Sequence, residues 1–164
     1  MNPESTHFSH IDAASNQPAM VDVSDKAVTK RTATARSIVV LGEAIMQHFT
    51  GDDIQSKKGP VFQTAIIAGT MAVKKTSELI PFCHPIGLES CKFNIYINEE
   101  REVVIECTAS ITAKTGVEME ALTGATVAAL TVYDMCKALS PDIIIRETRL
   151  IRKTGGKSDY SAGD

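Results

Sequence analysis

Asp134 and Lys137 lie three residues apart, just beyond a run from Ala121 to Leu130 that is small and apolar on almost every side. On a helix that spacing turns both side chains the same way, within reach of each other. One reading is a surface ion pair of small energetic worth. The other is a coupled carboxylate and ammonium of the kind that moves protons beside a phosphate. Ionised groups bordering a buried segment cost free energy unless paired or used, which favours the second. Glu118 and Glu120 come earlier in the same stretch. Thr115-Gly-Val-Glu118 has the Ser/Thr-x-x-Glu pattern that caps a helix start, and this accounts for Glu118. Glu120 has no such account. It lies fourteen residues before Asp134, close to four whole turns, so the two carboxylates share a helix face at roughly 21 Å along the axis. A small substrate does not bridge that distance within one chain. A site using both is therefore expected to draw on two subunits.

A second cluster is Pro81-Phe82-Cys83-His84-Pro85, where two prolines restrict the backbone and hold a thiol and an imidazole in a defined loop. Neighbouring residues chelate a metal poorly, and no third ligand follows by spacing, so no metal site is assigned. His84 as a hydrogen-bond donor or proton carrier suits the loop better, with a purely structural histidine as the alternative. Cations are scattered: Lys57 and Lys58 before Gly59, Lys74 and Lys75, then Arg149, Arg152, Lys153 and Lys157. Surface charge is the ordinary role for each, but several converging would suit a polyphosphate. Gly155-Gly156-Lys157-Ser158 is no phosphate-binding P-loop, because Ile151 stands where the first glycine is needed and no helix follows.

The elements that must position these residues can be read from pattern. Residues 1–19 are rich in Ser, Asn, Pro and Ala without periodicity and are expected to be flexible. Residues 20–158 read as one domain, with 159–164 a flexible tail. Ser37–Leu41 suits a short strand and Glu43–Phe49 a short helix. Gly59-Pro60 opens a second helix over Val61–Leu79. Phe93, Ile95 and Ile97 alternate with polar residues, as do Val103, Ile105 and Cys107, predicting a hairpin turned at 98–101. A long helix from Thr115 to about Leu139 stops at Ser140-Pro141, and 142–152 forms the last strand. The order is β-α-β-β-α-β, that of a ferredoxin-like α+β fold with an antiparallel sheet and helices packed on one face.

Seventeen Lys and Arg against twenty Asp and Glu leave a net charge of −3, which points to neither nucleic acid nor an anionic membrane. Cys83, Cys91, Cys107 and Cys136 form no C-x-x-C pair, and the first twenty residues lack a signal-peptide pattern. The chain reads as cytoplasmic and reduced, with no membrane-spanning run.

The quoted segments resemble one family. Met20-Val21-Asp22-Val23, Lys58-Gly59, Leu79-Ile80-Pro81-Phe82-Cys83-His84-Pro85, Lys114-Thr-Gly-Val-Glu-Met-Glu-Ala-Leu-Thr123, Tyr133-Asp-Met-Cys-Lys-Ala138 and Lys153-Thr-Gly-Gly-Lys-Ser158 are similar, in order, to the cyclic pyranopterin monophosphate synthases of molybdenum cofactor biosynthesis. The resemblance implies a lyase that converts a cyclised dihydro-GTP (3′,8-cyclo-7,8-dihydro-GTP) to cyclic pyranopterin monophosphate and releases pyrophosphate. It implies a homo-oligomer, a hexamer built as a trimer of dimers, with active sites at subunit interfaces and no required cofactor; a Mg²⁺ ion accompanying the triphosphate is compatible with this, since that ion binds largely through phosphates. By position, Asp134 and Lys137 match the catalytic pair. Phe82, Cys83, His84, Met119 and Glu120 match substrate-contacting segments, and Lys58, Lys74 and Lys153 match basic positions suited to the triphosphate. Pro60 departs from a frequent Asp, Ile66 and Lys75 from frequent Arg, and Phe82 from a usual Leu. Two rivals stand beside this reading: a non-catalytic nucleotide-binding protein of the same fold, and a metal-dependent hydrolase using Cys83 and His84.

Overall fold

The computed structural model of the chain describes residues 9–163. In chain order the elements are β1 (Thr29–Val40), α1 (Glu43–Met46), three short strands β2 (Phe49–Thr50), β3 (Asp53–Ser56) and β4 (Gly59–Pro60), then α2 (Val61–Val73), α3 (Thr76–Leu79), β5 (Ser90–Ile97), β6 (Val103–Ala113), α4 (Glu118–Cys136), β7 (Ile144–Thr154) and β8 (Tyr160–Ser161). The main sheet has the order β5-β6-β1-β7-β8, antiparallel at every pairing. Its four long strands and the helices α2 and α4 give the ferredoxin-like α+β arrangement. The short strands β2, β3 and β4 form a separate small sheet.

The hairpin follows from alternation. Ile95 lies opposite Ile105 and Ile97 opposite Val103, so the apolar side chains of both strands share one face. In β1 the same face carries Ala33, Ala35 and Val39, all buried. Helices α2 and α4 cover it, and each packs tightly at a glycine. A methyl on Gly69 would lie 2.5 Å from the Phe93 ring, and one on Gly124 would lie 2.5 Å from Val73 and 2.7 Å from the Cys107 sulfur. Only a residue without a side chain fits at either place.

Several boundaries differ from the sequence expectation. Strand β1 starts at Thr29 rather than Ser37. Its first half alternates Lys30, Thr32, Thr34 and Arg36 with Arg31, Ala33 and Ala35, and only the two alanines pack with α4, a weak hydrophobic signal. The second helix ends at Val73 instead of running to Leu79, and a separate short helix opens at Thr76, whose buried hydroxyl donates to the Val73 carbonyl at 2.9 Å. The start of α2 is capped from outside its own sequence. The buried Asp53 accepts the N–H groups of Phe62 at 2.7 Å and Gln63 at 3.1 Å.

The capping box at Thr115 does not form. The N-cap of α4 is Val117 and no side chain bonds there, so Thr115 falls too early to serve. The helix ends at Cys136, with Lys137 as its C-cap. Beyond β7 the residues read as a tail fold back, and β8 pairs with Arg152 and Lys153. Within the N-terminal segment, residues 1–8 lie outside the described part. Ile11 bridges Pro18 across a turn in which Asp12 accepts the N–H groups of Ala14 and Ser15.

Candidate active site

Helix α4 carries chemistry at both ends. At its start Met119 and Glu120 meet the loop residues Phe82, Cys83 and His84 around a cavity of about 260 Å³. Five of the residues singled out in the sequence are thereby brought together. Glu120 is only 5% exposed, and burial raises its carboxyl above the usual range, with the charge of Glu118 adding to the effect. Burial also pushes the Cys83 thiol up, and the nearby Glu120 charge pushes it further. A thiol so raised stays protonated and makes a poor nucleophile. Among the described residues no group of three or more His, Cys, Asp and Glu side chains is placed to hold a metal ion.

At the other end Asp134 sits between two lysines. Lys137 Nζ is 2.7 Å from one carboxylate oxygen and Lys58 Nζ is 3.1 Å from the other. The hydrogen bond from Lys137, then that from Lys58, holds Asp134 below the ordinary carboxylate range, and Asp134 holds the Lys137 ammonium above its own. The arrangement is a triad rather than the pair expected from spacing. Lys58 reaches it from the β3–β4 turn, where the Ser56 hydroxyl accepts the Lys58 N–H at 3.1 Å and donates to the Gly59 carbonyl at 2.9 Å. Gly59 has φ +110°, a conformation side-chain-bearing residues rarely adopt, so the turn needs glycine there.

The remaining cations part company. Lys153 pairs with Glu118 at 3.3 Å, which takes Glu118 out of any cap and brings Lys153 to the cavity end of α4. Lys74 is the C-cap of α2 and lies near Cys91, in neither cluster. Asp134, Lys137 and Lys58 do not line the cavity. The two groups of site residues thus occupy opposite ends of one helix, as helix arithmetic predicts.

Sequence reasoning did not assign Ser9, His10 or Lys26 to the site, yet all three line the cavity with Val21 and Val23. No periodicity marks these positions. The only signal in the sequence was the ordered look of Met20–Ser24.

Residues 20–156 match the family model described as the MoaC family. The chain belongs to the MoaC family. It is 55% identical to a molybdenum cofactor biosynthesis protein 1 of Dictyostelium discoideum, over 94% of this chain and 27% of that protein. It is also 55% identical to a molybdenum cofactor biosynthesis bifunctional protein of Synechocystis sp., over 94% of this chain and 45% of that one. The chain spans less than half the length of either. A cyclic pyranopterin monophosphate synthase of Xanthomonas axonopodis pv. citri is 53% identical over 98% of this chain and 97% of its own length. In this MoaC chain the departures noted in the sequence fall at distinct places. Pro60 is the N-cap of α2, where its missing N–H costs nothing. Phe82 lines the cavity, with its ring against His10.

Proposed function

We propose that this chain is a cyclic pyranopterin monophosphate synthase, a phosphorus–oxygen lyase of molybdenum cofactor biosynthesis acting on a cyclised dihydro-GTP. The Asp134–Lys137–Lys58 cluster carries the proposal. Its electrostatics divide the acid–base work. Asp134 is held as the anion by two ammonium groups, the protonation state from which a general base must start. Lys137, kept protonated by Asp134, is suited to neutralise charge growing on a reacting oxygen. In the displacement at phosphorus, a substrate hydroxyl loses its proton and bonds to the α-phosphorus while the bond to pyrophosphate breaks. Lys58 and Lys153 are suited to the charge of the departing group.

The site is proposed to form between subunits of a homo-oligomer, a hexamer in the fullest form of the reading. Two features support a partner. The cavity and the Asp134 cluster are separated by most of the length of α4, roughly 21 Å. The face of α2 bearing Ile67 and Met71 is more than half exposed, as is Leu130 on α4, an apolar area suited to burial against another chain. Mg²⁺, where it accompanies the triphosphate, would be held chiefly through phosphate oxygens, and no redox cofactor enters a rearrangement, ring closure and displacement. A cytoplasmic setting is part of the same proposal.

The test is pyrophosphate release and pterin formation from 3′,8-cyclo-7,8-dihydro-GTP. Asp134→Asn and Lys137→Ala are each expected to lower kcat by about 10²- to 10⁴-fold while still folding and binding. No turnover by intact wild type would favour the non-catalytic nucleotide-binding reading, and full activity in Asp134→Asn would place the acid–base role elsewhere.

A further inference from the structure

We infer that His10 is a substrate-positioning residue, whose imidazole, stacked on Phe82, forms the cavity wall against which a planar heterocycle lies. The two rings are 6.1 Å apart between centroids and 25° from parallel, within the range of favourable offset stacking. Both line the cavity that holds Glu120.

His10 is fixed from behind as well as in front. Its carbonyl accepts the Ala19 N–H at 2.9 Å, and the Asp12 N–H donates to the Gln17 carbonyl at 2.9 Å. The Ile11–Pro18 bridge closes the same loop. A turn braced this way presents the imidazole without a large ordering cost on binding, which is how preorganisation raises affinity.

The chemistry of the walls selects the ligand. Two aromatic rings and the Met119 thioether in the lining favour a flat, polarisable ring. The buried Glu120 carboxyl favours a ring edge bearing N–H groups, and Lys26 adds one cation to the lining. The inference rests on the proposed function for the identity of that ring, a reduced purine or pterin. It also gives Phe82 a purpose, since a leucine there would leave the imidazole with no ring to stack on.

The experiment measures steady-state turnover of the cyclised dihydro-GTP for wild type, His10→Ala, His10→Phe, Phe82→Leu and the double variant His10→Ala/Phe82→Leu. A binding titration of a dihydropterin, followed by quenching of its fluorescence, runs in parallel. His10→Ala is expected to raise KM by about tenfold with kcat within about twofold of wild type. His10→Phe, which keeps a ring, is expected to recover KM to within about threefold of wild type. The double variant is expected to be little worse than His10→Ala alone, because the two rings act together. Wild-type turnover with KM unchanged in His10→Ala overturns the inference and leaves the proposed function standing. Absence of wild-type turnover removes the proposed function. The titration then decides alone: weaker dihydropterin binding to His10→Ala sustains the positioning role, and equal binding overturns it.

Discussion

Glu120 and Asp134 are carboxylates on one helix whose surroundings drive them apart. Burial lifts the first and two ammonium groups lower the second. Such divergence separates groups suited to hold a proton from groups suited to take one. For Glu120 it has a thermodynamic side. A carboxyl whose folded pKa lies above its unfolded value binds its proton more tightly in the native state, so stability falls as pH rises from the unfolded pKa through the folded one. Glu120→Gln is therefore expected to melt at a higher temperature than wild type at pH 7. The advantage should vanish below about pH 4, where both states of the wild-type carboxyl are protonated. Calorimetry at the two pH values checks this, and an equal difference at both would refute it. The spacing of Glu120 and Asp134 was legible because helix geometry is regular. The arrival of Lys58 at Asp134 was not, because it depends on the path of a short turn held by Ser56, and no residue near Asp134 in the chain encodes that contact.

Elements meet here through residues whose side chains are small or absent. Gly124→Ala adds a methyl at 2.5 Å from Val73, where neither helix can move without disturbing the sheet. Alanine's better helix propensity, about 1 kcal/mol, is expected to lose to overpacking of about 1–3 kcal/mol. A lower urea midpoint would be the sign of it, and an unchanged or raised midpoint would show that the helices can part. Asp53→Ala leaves the N–H groups of Ile54, Phe62 and Gln63 without their acceptor, and a loss of about 1–3 kcal/mol is expected. Thr115→Ala, by contrast, is expected to change stability by less than about 0.5 kcal/mol, since no cap bond is lost. That position also marks a limit of local patterns. Thr-x-x-Glu satisfied the motif, but Lys153, distant in sequence, claimed the glutamate. The hairpin was legible because one face of β5 and β6 alternates strongly. The first half of β1 was not, because it shares its core face with α4, which admits only Ala33 and Ala35.

Across the whole molecule, the separation of the two residue groups makes a sharp demand on assembly. If each site takes its cavity from one subunit and its Asp134 cluster from another, two inactive variants should rescue each other. Glu120→Ala and Asp134→Asn proteins, unfolded together and refolded in equal amounts, are expected to regain about a quarter of the wild-type sites. Recovery of none would place each site within a single subunit. The strand order has a different consequence, one for the chain as it is made. The central strand β1 emerges first, but its neighbours β6 and β7 follow only after three helices and after α4 respectively. Until β6 and β7 have been made, β1 has both edges open and its alanine face uncovered, and within the main sheet the β5–β6 hairpin is the part that can form from local contacts at that stage. Ribosome-bound chains stalled before residue 144 should remain open to protease along β1. Those released past β8 should become resistant together, so that the fold closes as a late, single event governed by the last strand to leave the ribosome.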